Sequence, residues 1–263
     1  MVQRQDLVLF SDHTVVSDKL FDSQENVVIN VTSTQATQAT WLNTVLMESY
    51  LLGSPVSLNS EQKSSVAQVR NGKWITVASL VHNTGFFQAN FNRLQVDSSH
   101  YKIVDLLTDF VQLISGKPTE KILLTLLDMF PENRNGMIII EQPEILLSLI
   151  PNLTADILGS KFINALRKKC GLLVINSVID PVQEDIETST AVEFKRFLQS
   201  NIYKSQALIA LNPLPTGRAK DVTGTLRISR GPCSIQGIIP DLQIAENEYL
   251  YLTDKDNTEL FYS

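Results

Sequence analysis

Val27-Val28-Ile29-Asn30-Val31, running on through Thr32-Ser33-Thr34-Gln35-Ala36-Thr37-Gln38-Ala39-Thr40-Trp41, decides how this chain is read. The first five residues are short, β-branched and apolar, as in a strand buried on both faces. Residues 38–52 then read as a helix. Leu42, Val45, Leu46 and Met47 fall on its inward side, and Gly53 and Pro55 stop it. Strand, polar turn and helix together form the opening unit of an α/β fold with a parallel sheet.

The alternation continues outward from this unit. Residues 74–81 read as a second buried strand, and residues 84–94 as a short helix carrying Phe87, Phe91 and Leu94. Ile103, Leu106, Leu107, Phe110, Val111 and Ile114 fit a helical stripe. The alternation favours a strand at 101–106 with a helix after it, because the sheet otherwise loses a member. Residues 119–130 are helical. Met137-Ile138-Ile139-Ile140 is the clearest buried strand, and it ends in Glu141. Helices are expected at 144–150 and 154–169, the second capped by Thr154. Its end carries Arg167, Lys168 and Lys169, with Gly171 placed for a left-handed stop. A strand at 172–178 and a helix at 192–203 follow, with polar loops expected at 56–72 and 180–191. The last third changes character: strands at 206–211, 223–229, 248–252 and 258–262 form an antiparallel extension, the last two around a five-residue turn at 253–257. No internal repeat or second-domain boundary is visible, so residues 1–263 are expected to form one domain.

Composition narrows the function. Hydrophobic residues make up 43% and charged residues 19%, which excludes a disordered or coiled-coil chain. The formal charge of −6 makes the isolated chain a poor nucleic-acid binder, because phosphate contacts need local positive charge. Cys170 and Cys233 make no Cys-x-x-Cys and no disulfide framework, as expected of reduced thiols in the cytoplasm or nucleus. Met1 to Asp6 show no signal-peptide apolar stretch, and no apolar run is long enough for a membrane span. The sequons at Asn30 and Asn152 are read as chance. His13, His82 and His100 have no metal-ligand spacing.

Ligands of doubly wound sheets bind beyond the strand C-termini, so the first strand-to-helix turn is the place to look. A phosphate cradle needs G-x-x-x-x-G-K-[ST], whose glycines let backbone amides wrap the phosphates and whose lysine neutralises them. In that frame Ser33 and Gln38 replace the glycines, Ala39 replaces the lysine, and only Thr40 is compatible. No G-x-G dinucleotide fingerprint occurs either, and no cofactor is expected. Two readings stay open: a nucleotide-hydrolase fold that has lost its phosphate site, or an unrelated turn. Glu141 resembles the strand-end acid that supports the metal in such hydrolases, or is an ordinary strand-end carboxylate. Asn176 and Ser177 on the next strand face the same crevice. No nucleophile and base can be paired. Residues 215–231, with Arg218, Lys220, Arg227 and Arg230 against Asp221, carry a net +3; residues 232–263 carry −5. Such a dipole suits a head-to-tail interface, with Arg218, Lys220 and Asp221 as candidate contacts. Lys195 and Arg196 are candidate nucleic-acid contacts beside an acidic loop.

Several stretches carry a family resemblance: residues 2–12, Leu52-Gly53-Ser54-Pro55, Ile140-Glu141-Gln142-Pro143-Glu144, Leu211-Asn212-Pro213-Leu214 with Gly217 through Leu226, and Glu246-Asn247-Glu248-Tyr249-Leu250-Tyr251-Leu252. They resemble the subunit-six family of fungal Elongator from end to end, apart from the loops near 56–72 and 180–195. The resemblance implies a RecA-like fold without a working phosphate loop, in agreement with the turn at 33–40. It also implies a hetero-hexameric ring with Elongator subunits four and five, two copies of each. That ring joins the larger assembly, binds tRNA and supports C5 modification of wobble uridine. Its ATPase activity acts on tRNA release, and the modification chemistry belongs to another subunit. The expected role is therefore a non-enzymatic subunit, cytoplasmic and nuclear, reaching tRNA through the assembled ring. The alternatives are an inactive RecA-like paralogue in DNA recombination and an active nucleotide hydrolase with an atypical loop.

Overall fold

The computed structural model describes residues 26–58, 68–108, 110–179, 188–217, 219–233, 244, 246–254 and 257–262. Its centre is one nine-stranded sheet. The strands are β1 (Val27–Ser33), β2 (Ile75–Ser79), β3 (Tyr101–Asp105), β4 (Asn133–Glu141), β5 (Cys170–Val178), β6 (Ala207–Asn212), β7 (Gly224–Arg230), β8 (Asn247–Thr253) and β9 (Thr258–Tyr262). Their order is β3-β2-β4-β5-β1-β6-β7-β8-β9. The six strands from β3 to β6 pair in parallel. β6 to β9 form an antiparallel meander on one edge. This order differs from the dinucleotide-binding order 3-2-1-4-5-6 and from the flavodoxin order 2-1-3-4-5. It is the RecA-like α/β class that the alternation and the resemblance led us to expect.

Burial on both faces follows from the strand sequences. Val27, Ile29 and Val31 of β1 join one core, with Met137 and Ile139 of β4 and Leu172 and Val174 of β5. Val28, Ile138, Ile140, Leu173 and Ile175 join the other. Period-2 alternation therefore separates two apolar sets where a one-sided sheet would show one polar set. The first face is covered by α1 (Thr40–Leu52) and α2 (Thr84–Arg93), and by the meander's inward Leu226, Ile228, Tyr249 and Tyr251. The second face is covered by α3 (Phe110–Ile114), α4 (Thr119–Asp128), α5 (Leu146–Leu149), α6 (155–169) and α7 (Ser189–Lys204).

Local chemistry explains most boundaries. Gly53 ends α1 in the left-handed region at φ 83°, and its N–H donates to the Ser49 carbonyl. Asn83, Thr154 and Thr188 cap their helices with side-chain oxygens. Residues 101–105 form the expected strand, and the helix after it is only five residues long.

Four local expectations are corrected. Gly171 is no left-handed stop: β5 begins at Cys170, already extended, and Gly171 lies inside the strand. α6 is not uniform, because its middle, Leu158–Ile163, is a π-turn between two short α segments. β4 starts at Asn133, ahead of a register shift against β5 between Asn133 and Met137, so its polar start hid it. The polar run expected as a loop to 191 yields to helix at Ser189 behind the Thr188 cap; residues 180–187 lie outside the described residues.

Gly224, where β7 begins, is a close approach. A Cβ there would stand 2.5 Å from the Asn212 carbonyl oxygen and 3.1 Å from Thr37 Cγ2. We expect Gly224→Ala to destabilise the chain by about 2 kcal/mol through overpacking. A urea titration that leaves the midpoint unmoved overturns this account.

Candidate functional site

The turn from β1 into α1 holds Ser33, Gln38, Ala39 and Thr40, as the sequence placed them. It is closed by two threonines. Thr37 N–H donates to the Thr34 carbonyl at 3.1 Å, the two hydroxyls lie 2.8 Å apart, and the Thr37 hydroxyl donates to the Leu211 carbonyl of β6 at 3.0 Å. No residue from 33 to 40 has positive φ. Ser33 is 2% exposed, and Ala39 sits at the head of α1 without a side-chain cap.

Glu141 ends β4 in register with Ser79 of β2 and Asn176 of β5. It lies on the face covered by α1 and α2. Both carboxylate oxygens are taken: Asn43 Nδ2 of α1 donates to Oε1 at 2.7 Å, and His82 Nδ1 lies 2.8 Å from Oε2. Glu141 is 2% exposed. His82 follows β2 on a turn in which the Ser79 hydroxyl oxygen accepts from the N–H groups of Val81 and His82. Its ring stacks on Phe86 with centroids 4.3 Å apart. The hydrogen bond to Glu141 raises the His82 pKa above 6.5, against the opposing pull of partial burial. The sequence placed Glu141 but read His82 as scattered and missed Asn43. The three converge only through the crossovers that stack α1 and the β2–α2 turn over β4.

Immediately after Glu141 the chain turns sharply. Gln142 adopts φ 52°, and its N–H donates to the Asn176 carbonyl at 2.7 Å. This turn carries Glu144 inward beneath a cleft of about 340 Å³ lined by Gln35, Gln142, Val178, Thr190 and Phe194. Glu144 accepts from the Val178 N–H at 2.9 Å, yet burial pushes its carboxyl up to about 7. Among the described residues no group of three or more His, Cys, Asp or Glu could hold a metal ion, and no helix is long and apolar enough to cross a membrane.

The other candidates are scattered. Arg196 of α7 is held by Asp156 at 2.7 Å and Glu193 at 3.2 Å. Lys195 is its half-buried neighbour. Lys220 and Asp221 are exposed on the irregular approach to β7, and Arg218 lies outside the described residues.

Two titrations follow. His82 is charged and bonded below pH 6.5, so its contribution to stability is complete there and fades as pH rises through its higher folded value. Nuclear magnetic resonance should find the His82 ring titrating above 6.5 and Glu141→Gln lowering that midpoint; an unmoved midpoint removes the pair. Glu144 has a raised folded pKa, so its burial costs nothing below about 4.5 and progressively more up to about 7. Glu144→Gln should therefore stabilise the chain at pH 8 and have little effect at pH 4, as read by thermal denaturation at both values.

No protein-family model matches the chain. Elongator complex protein 6 of Saccharomyces cerevisiae is 41% identical over 270 residues, spanning 99% of this chain and 98% of the relative. Among solved structures, the flagellar accessory protein FlaH of Methanocaldococcus jannaschii is similar with a TM-score of 0.53 at 12% identity, covering 100% of both chains. At that identity the likeness concerns the fold alone.

Proposed function

Because this chain belongs to the family of Elongator complex protein 6, we propose that it works as a non-catalytic structural subunit of that complex. It assembles with Elongator subunits four and five into a hetero-hexameric ring and supports wobble-uridine modification by helping the ring hold tRNA. The observation that carries the non-catalytic part is the state of the two places where nucleotide chemistry needs free groups. The turn at 33–40 has no lysine, no glycine and no positive φ, and threonine hydroxyls clasp it shut. The strand-end acid that a metal would need, Glu141, already has both oxygens bonded by Asn43 and His82. Replacing the Asn43 bond with an ion leaves a buried donor unpaired, a cost of about 1–3 kcal/mol.

The ring reading is supported by the likeness to the Elongator relative. The relative is matched from end to end, and the chain divides into a basic stretch at 215–231 and an acidic one at 232–263. In the fold, β7 pairs with β8, Arg227 stands opposite Glu248 and the Arg230 N–H donates to Glu246, so the two stretches are neighbours in one sheet and form no separated dipole.

Native mass spectrometry of the chain mixed with subunits four and five should give a hexamer with two copies of each. A chain that stays monomeric beside them refutes the ring. Charge reversal at Lys220 should shift the mixture toward smaller species. Titrating the isolated chain with magnesium-ATP should show no saturable binding at micromolar concentrations. Saturation there would favour the nucleotide-hydrolase reading.

A further inference from the structure

We infer that the lower end of the seam between α6 and α7 is a docking surface for the phosphodiester backbone of single-stranded RNA, with Tyr203 offering its ring to a base. The inference rests on the reading that the assembly handles RNA, and it places the contact away from Lys195 and Arg196.

The surface starts in the sequence. Residues 158–169 contain Lys161, Arg167, Lys168 and Lys169 and no acid, and α7 ends in Tyr203-Lys204. The fold then lays the end of α7 across the first half of α6. Gly159, in the π-turn of α6, has no side chain, and Lys204 Nζ of α7 lies 3.7 Å from where its Cβ would stand. The Lys204 ammonium is thus laid across the α6 backbone. Burial first, and then the nearby Arg167 charge, disfavour its charged form, against a weaker opposing pull from Asp156. Asp156 is itself bonded to Arg196. Lys161 and Lys168 are exposed, and Tyr203 is 69% exposed.

The ordinary explanation for such cations is that they answer helix dipoles, and it covers only part of them. Each helix C-terminus supplies about half a negative charge, so the ends of α6 and α7 together answer about one cation. Lys169 is already used elsewhere, donating to the Leu127 and Phe130 carbonyls at the end of α4. Arg167 donates through Nε to the Asn26 carbonyl, which is uncharged. Among the described residues, Lys161, Arg167, Lys168 and Lys204 have no carboxylate within ion-pair distance. The surplus is open to an external anion. The exposed Tyr203, next to Lys204 in the chain, favours single-stranded nucleic acid over an acidic protein, because base stacking and phosphate contact then act together. On a chain of charge −6 this patch is a local reversal of sign.

The test uses the complex assembled with its partner subunits and a fluorescein-labelled oligouridylate, followed by anisotropy across a salt series. The triple variant Lys161→Gln, Lys168→Gln, Lys204→Gln should bind at least about tenfold more weakly, with the salt slope reduced by roughly 2, since each single-strand phosphate contact adds about 0.7. Tyr203→Ala should weaken binding several-fold and leave the slope unchanged. Lys121→Gln, an exposed lysine of α4, should match the parent. If the parent complex binds the oligomer and the triple variant binds equally well, the surface is overturned while the RNA reading stands. If the parent complex binds no RNA, both fall. If polyglutamate competes as well as RNA, the occupant is an acidic protein and the inference is wrong.

Discussion

β1 sends Val27, Ile29 and Val31 into one layer and Val28 into the other, and its neighbours β4 and β5 do the same. A strand with apolar side chains on both faces has no surface on which to carry polar chemistry. Such chemistry is confined to strand ends and to the turns beyond them, where backbone and side chains reach the crevice left by helices departing to opposite faces. α1 leaves β1 toward one face, while α7 leaves the adjacent β5 toward the other. The row Ser79, Glu141 and Asn176 sits at that level because the register puts it there. Everything functional in this chain is read against that confinement.

Within it, the Glu141 carboxylate is the organising charge. A buried carboxylate is tolerated only when donors reach both oxygens. Here one donor comes from α1 and the other from the turn that starts α2, so a single side chain ties two helices of one layer to the central strand β4. Glu141 thus works as a clasp between the layers. Glu144, three residues on, is buried more deeply than its hydrogen bonds offset: the Val178 N–H donates to it, yet burial pushes its carboxyl up to about 7.

Much of the architecture was legible because it is written in local chemistry. The β-branched runs, the Thr154 cap and the Gly53 stop each act over a few residues, and the structure agrees with them. Two of the misread positions share a cause. Gly171 has the chemistry of a helix stop, but sheet pairing with β4 and β1 keeps it extended. Asn133 to Gly136 carry no apolar run, yet β4 starts at Asn133 beside a register shift against β5. The π-turn of α6 has no pattern of its own in the residues. At the two strand positions tertiary pairing overrode a local preference.

By itself, the sequence determined the layer each strand residue enters, the absence of glycine and lysine from the first turn, and the acid at the end of β4, because each is a property of residue type at a fixed spacing. Only the tertiary structure decided which of those groups remain free. Asn43, His82 and Glu141 are far apart along the chain and meet through parallel crossovers. Arg196 is neutralised by Asp156, a partner 40 residues away. Whether a charge is available depends on what is packed within a few ångströms of it, and that distance is set by the fold.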